Sequence, residues 1–97
     1  MKYIIKRGCK FRQESFGCIL RMPIEIVLKT GQTYYKLNHV GCLVLDGCRN
    51  NKSIEDIVNL VALEYEVSKK TARLDVIDLL NDLAEIGAIK EDGNGDI

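Results

Sequence analysis

From Asn38 onward the apolar residues recur every three or four positions, in three runs separated by polar breaks, and no other feature constrains the fold as tightly. Side chains at that spacing share one face of an α-helix, so each run predicts a helix with a single buried stripe. The first opens at Asn38, whose side-chain oxygen suits an N-cap, and carries Gly41, Val44, Leu45 and Cys48 along its stripe. Arg49 to Lys52 interrupts it. Ser53, with Asp56 three residues later, opens the second like a capping box, and Ile54, Ile57, Val58, Val61 and Tyr65 line its face. Ser68 caps the third and longest, expected to run to Ile86 and to stop at Gly87, with Ala72, Val76, Leu79, Leu80, Leu83 and Ile86 buried. Ile77 and Ala84 widen that stripe, which fits contact with another helix and an exposed binding face equally well.

Ahead of residue 38 the signals are those of strands and turns. Residues 10–14 and 16–22 flank Ser15 and form one expected hairpin. After Pro23, residues 24–29 are expected to be a strand joined through Thr30-Gly31 to a strand over residues 33–37. Residues 2–6 form a further strand candidate that frays or pairs with a second copy of the chain, as in a homodimer with exchanged N-terminal strands. Residues 90–97 lack core side chains and are expected to be a mobile tail. The fold class is therefore α+β: an N-terminal antiparallel three-stranded sheet packed on three helices, in outline a winged helix-turn-helix. With 97 residues, 46% of them hydrophobic, the chain makes a single domain, residues 1–97, with one core and little room for a deep catalytic cavity.

The net charge is zero but unevenly laid out: residues 1–37 hold eight cations against Glu14 and Glu25, and the remainder carries the compensating negative charge. Such a dipolar domain suits a partner with acidic stretches. No apolar run is long enough to span a bilayer and the first residues do not open a signal peptide, so a cytoplasmic protein without a membrane partner is expected. Cys9, Cys18, Cys42 and Cys48 have no zinc-ligand spacing, and in that compartment they are expected as reduced thiols rather than as a Cys9–Cys18 bridge; no metal or other cofactor is expected.

Catalysis needs a nucleophile with a base, paired carboxylates or a metal, and the chain offers poor candidates. His39 stands at a helix start with no serine or cysteine placed to partner it, and Asp75, Asp78 and Asp82 read as a solvated helix face. A DNA-binding transcriptional regulator is the alternative function: Lys69, Lys70 and Arg73 crowd the start of the third helix, but Asp75, Asp78, Asp82 and Glu85 follow them and would meet phosphates. The remaining mode is the sheet margin. A strand over residues 33–37, unpaired on one side, offers backbone N–H and C=O groups to an extended peptide. Period two sends Thr33, Tyr35 and Leu37 to one face and Tyr34 and Lys36 to the other.

Leu37-Asn38-His39-Val40-Gly41, then Ser53-Ile54-Glu55-Asp56-Ile57, Tyr65-Glu66-Val67-Ser68, Asp75-Val76, Leu79-Leu80, Leu83 and Gly87-Ala88-Ile89 together resemble the PqqD-like family of RiPP recognition elements, which act on ribosomally synthesised and post-translationally modified peptides. The likeness covers about residues 10–89, and Arg12-Gln13-Glu14-Ser15-Phe16-Gly17 is similar to the segment that often opens such domains. It implies a non-catalytic adaptor, a peptide chaperone in natural product biosynthesis that captures a precursor's leader and presents its core to a modifying enzyme, often a radical-SAM protein. It also implies that the leader adds beside the third strand, in the cleft with the third helix. Carried over, the strand residues are Gln32, Thr33, Tyr34, Tyr35, Lys36 and Leu37, and the helix residues are Lys69, Arg73, Val76, Ile77 and Leu80. Three departures stand out: Leu45 replaces a usual large aromatic, Gly47 lies inside the first helix and should shorten or bend it, and residues 23–29 are longer than the family's connection.

Overall fold

The computed structural model describes residues 1–92. Its elements in chain order are strand β1 (Tyr3–Ile5), strands β2 (Lys10–Glu14) and β3 (Gly17–Arg21), helix α1 (Ile24–Thr30), strand β4 (Tyr34–Leu37), helices α2 (His39–Arg49), α3 (Ile54–Tyr65) and α4 (Lys69–Glu85), and strand β5 (Ile89–Glu91). Two antiparallel sheets result: a ribbon of β1 with β5, and a three-stranded sheet in the order β2-β3-β4. The α+β class stands, with one helix and one small sheet more than the sequence suggested.

The three caps work as their residue types require. Asn38 Oδ1 accepts from the Gly41 N–H at 3.0 Å, Ser53 Oγ from Asp56 N–H at 3.1 Å, and Ser68 Oγ from Thr71 N–H at 3.1 Å. Each satisfies one of the orphan donors at a helix start. The inner sheet face, through Cys18, Leu20 and Leu37, meets α2 through Val44, Leu45 and Cys48, and α3 and α4 close the core with Ile57, Val58, Val61, Val76, Leu80 and Leu83. Gly47 does not stop α2, which continues through it to Arg49. Its missing Cβ makes room for α3: a methyl there would stand 2.6 Å from Ile57 Cγ1, so the helix–helix approach demands the glycine.

The expected strand over residues 24–29 is instead α1. Ile24, Ile26 and Leu28 alternate with Glu25 and Val27, which imitates a strand, but only Ile26 is buried while Ile24 and Leu28 stand exposed one turn apart. The Thr30-Gly31 pair read as a hairpin turn is a helix stop. Thr30 Oγ1 donates to the Ile26 carbonyl at 2.8 Å, and Gly31, at φ 74°, donates its N–H to the Val27 carbonyl at 2.8 Å. β4 consequently pairs with β3 rather than with the preceding segment. This insertion accounts for the long connection after Pro23.

The terminal segments also differ from expectation. β1 pairs with β5 of its own chain, Tyr3 opposite Glu91 and Ile5 opposite Ile89, so strand exchange with a second copy is not what satisfies it. Lys90 and Glu91 therefore belong to a strand, and the Asp92 N–H donates to the Lys2 carbonyl at 2.9 Å. The rest of the expected tail, residues 93–97, lies outside the described residues.

The four thiols are free. Burial pushes Cys48 up to about 11 from an ordinary 9.0, and burial, reinforced by the neighbouring Cys42 thiol, pushes Cys18 up to about 12. Between about pH 9 and 11 the unfolded chain loses protons that the folded chain keeps, so stability falls as pH rises through that window. Urea denaturation is expected to show the decline, with a shallower slope for Cys48→Ala; equal slopes would mean that other groups cause it.

Candidate functional site

β4 is an edge strand, and its register decides which backbone groups are free. Cys18 faces Leu37, Ile19 faces Lys36, Leu20 faces Tyr35 and Arg21 faces Tyr34. The Met22 N–H donates to the Thr33 carbonyl at 2.9 Å, so Thr33 forms a hydrogen-bonded pair with β3. Alternation along an antiparallel ladder then directs the groups of Tyr35 and Leu37 toward β3 as well, and those of Tyr34 and Lys36 away from it. No other strand among the described residues pairs along that side. The outward Tyr34 carbonyl accepts from Gln32 Nε2 at 3.0 Å, an exposed bond that covers one acceptor of the margin. Such a bond contributes about 0.5–1.5 kcal/mol net, little enough for an added strand to displace it.

The side chains of β4 alternate as expected. Leu37 is buried and Tyr35 packs half-buried on the core, whereas Tyr34 and Lys36 are exposed on the outer face with the ring of Phe16, over which Lys36 Nζ stands 4.8 Å from the centroid. Thr33, exposed, immediately precedes the strand.

The helix residues expected at the site fall elsewhere. Val76 and Leu80 are fully buried and have no surface to offer a ligand. Arg73 is held by Glu55 of α3 through two contacts, 2.8 and 2.9 Å, and Lys69 lies close enough to act on the same carboxylate. Ile77, half-buried, follows Arg73 by one turn and shares that α3-facing flank. The flank turned toward the β4–α2 junction is a different one. Asp75, Asp78 and Leu79, at offsets of three and four, border a hollow with Asn38, Val40 and Gly41 at the start of α2. β4 runs directly into that junction, with Asn38 between the strand and α2. The sequence already showed the spacing of Asp75, Asp78 and Leu79; the aspartates are solvated as expected, and their place beside the start of α2 follows only from the packing of the helices.

A family model described as Coenzyme PQQ synthesis protein D (PqqD) matches residues 25–89. The chain belongs to the PqqD family. Among solved structures, "Lasso peptide synthetase B1 complexed with the leader peptide" superposes with a TM-score of 0.76 at 21% identity, covering 94% of this chain and 100% of that one. "TbiB1 in Complex with the TbiA(beta) Leader Peptide" gives 0.75 at 24%, covering 95% and 98%. The PqqD truncation of Methylobacterium extorquens PqqCD, described as a functional and stand-alone RiPP recognition element, gives 0.72 at 15%, covering 92% and 88%. At these identities the superpositions establish the PqqD-type fold. No curated protein sequence matches the chain significantly.

The Arg73–Glu55 pair has a measurable consequence. The hydrogen bond from Arg73, with its charge and that of Lys69, holds the Glu55 carboxyl below its ordinary 4.5. An NMR pH titration is expected to place the Glu55 midpoint below its ordinary 4.5, and Arg73→Gln should return it toward that value; an unchanged midpoint would mean that the pair does not form in solution.

Proposed function

We propose that this PqqD-family chain is a non-catalytic peptide-binding adaptor: it captures the leader of a ribosomally synthesised precursor peptide by β-strand addition and presents the peptide to a modifying enzyme. The observation that carries the reading is the margin of β4, unpaired among the described residues, with the Tyr34 and Lys36 backbone groups directed away from β3. Main-chain hydrogen bonds supply affinity with little demand on sequence, and side chains on the two faces select. Two solved relatives of the same fold are described as complexes with leader peptides, and the third as a recognition element, which supports the same reading here. The modifying enzyme is a separate protein, with a radical-SAM enzyme the class that the family resemblance implies, and the adaptor works in the cytoplasm.

In this reading the strand residues Gln32, Thr33, Tyr34, Tyr35, Lys36 and Leu37 keep their roles, Leu37 as an anchor for the strand and Gln32 as a displaceable cover. On α4 the contacts move from Lys69, Arg73 and Ile77 to Asp75, Asp78 and Leu79, which border a hollow with Val40. Val76 and Leu80 hold the helix in place from within the core. A DNA duplex is disfavoured at this site, because Asp75 and Asp78 would stand against phosphates.

Proline tests strand addition directly. At position 34 it removes a backbone N–H that points away from β3 and leaves the ladder within the sheet intact. For peptides selected on the protein from a displayed library, Tyr34→Pro is expected to weaken binding at least tenfold relative to Tyr34→Val, with both variants folded by far-UV circular dichroism. Equal affinities for the two would exclude the margin as the binding element.

A further inference from the structure

The outer face of the three-stranded sheet, turned away from the core, is basic and aromatic right up to the vacant margin. Cross-strand pairing sets Arg12, Ile19 and Lys36 in one row and Lys10, Arg21 and Tyr34 in the next. Period two puts all six on one face, where every one but the half-buried Ile19 is exposed. The strands contribute one carboxylate to this face, Glu14, and Arg12 engages it at 3.3 Å. Arg21 and Lys36, nearest the margin, form no ion pair among the described residues. Between the rows lies a hollow of about 430 Å³ walled by Arg12, Ile19, Arg21, Tyr34, Lys36 and Phe16. The cleft side is the opposite: Asp75 and Asp78 give it negative charge beside apolar Val40 and Leu79.

Resting on the peptide-addition reading, we infer that this outer face is a second recognition surface, which takes acidic side chains from alternate positions of the added strand. A strand joined to β4 lies about 4.8 Å beyond it, and in either direction the residues directly opposite Tyr34 and Lys36 project on the same face as those two side chains. A carboxylate beside Lys36 is then one strand spacing from it, and one beside Tyr34 is two spacings from Arg21, within reach of the long guanidinium stem. The residues between them enter the cleft, where Asp75 and Asp78 repel acids. The leader segment is therefore acidic at positions i and i+2 and apolar or basic at i+1. This assigns attraction of the leader to Arg21 and Lys36, and releases Arg73, whose charge is spent on Glu55. Continuity of the basic rows with an unpaired strand margin favours a peptide over a nucleic acid as the occupant.

Selection from a displayed random library of 12-residue peptides tests this, using the full chain, an Arg21→Glu/Lys36→Glu variant and an Arg21→Gln/Lys36→Gln variant, each verified as folded by circular dichroism. Peptides selected on the unaltered chain are expected to be enriched several-fold in Asp and Glu at alternating positions. The Gln variant should lose that enrichment while still selecting the cleft-facing residues, and the Glu variant should replace it with Lys and Arg. Binders without acidic alternation, or the same alternation from all three proteins, would overturn the inference and leave strand addition standing. Absence of any binder would overturn strand addition and this inference together. Tighter binding of a polyuridine oligonucleotide than of any selected peptide, lost in the Glu variant, would make the face a nucleic-acid surface and overturn it too.

Discussion

The burial of Leu37 is the constraint on which the site depends. A strand side chain can be drawn inward only if its neighbours on either side point outward, so a Leu at the end of β4, seated beneath Gly41 of α2, fixes the phase of the whole strand. Tyr35 follows it inward, and Tyr34 and Lys36 are left on the outer face. Gly41 makes the seat possible, since a Cβ there would stand 2.7 Å from Leu37 Cδ2. Phase and register together direct the Tyr34 and Lys36 backbone groups to the free side of the sheet. A slip of one residue would invert both, exposing Leu37 and burying Lys36.

The second determinant is the division of α4 into three flanks. Its innermost stripe, Ala72, Val76, Leu80 and Leu83, is fully buried and holds the helix against the core. One neighbouring flank carries Arg73 to Glu55 and so ties α4 to α3; the other carries Asp75, Asp78 and Leu79 to the start of α2. The charge that makes the start of α4 look like a nucleic-acid helix in the sequence is thus partly neutralised by a partner eighteen residues earlier in the chain. The positive charge that remains near the margin sits on the sheet instead, on Arg21 and Lys36. Nothing local to α4 reveals this, because it depends on which strand lies beside which.

Much of the architecture could be read from one-dimensional signals. The caps at Asn38, Ser53 and Ser68 and the stripes behind them are local and periodic, and α2, α3 and α4 appear where those signals put them. The strands of the first hairpin were equally legible. α1 was not, since Ile24, Ile26 and Leu28 alternate like a strand and a seven-residue helix is too short for the helical period to outweigh that. Gly31 takes a left-handed conformation that a hairpin turn and a helix stop use alike, so the residue type could not decide between them. The pairing of β1 with β5 joins the two ends of the domain and leaves no local trace. Around the candidate site, the alternation along β4 was legible; on α4 the apolar excess at Ile77 and Ala84 drew attention to the flank facing α3, whereas the flank beside the start of α2 presents aspartates that look like ordinary solvated surface.

Amide hydrogen exchange resolved by NMR, with and without a selected peptide bound, tests the central claim most directly. Formation of a fourth strand predicts that the Tyr34 and Lys36 N–H groups, exposed to solvent in the free protein, become strongly protected, while Tyr35 and Leu37, already bonded to β3, change little. Saturating peptide that leaves Tyr34 and Lys36 exchanging at their free rates would contradict the account, because the peptide would then be bound somewhere other than the margin of β4.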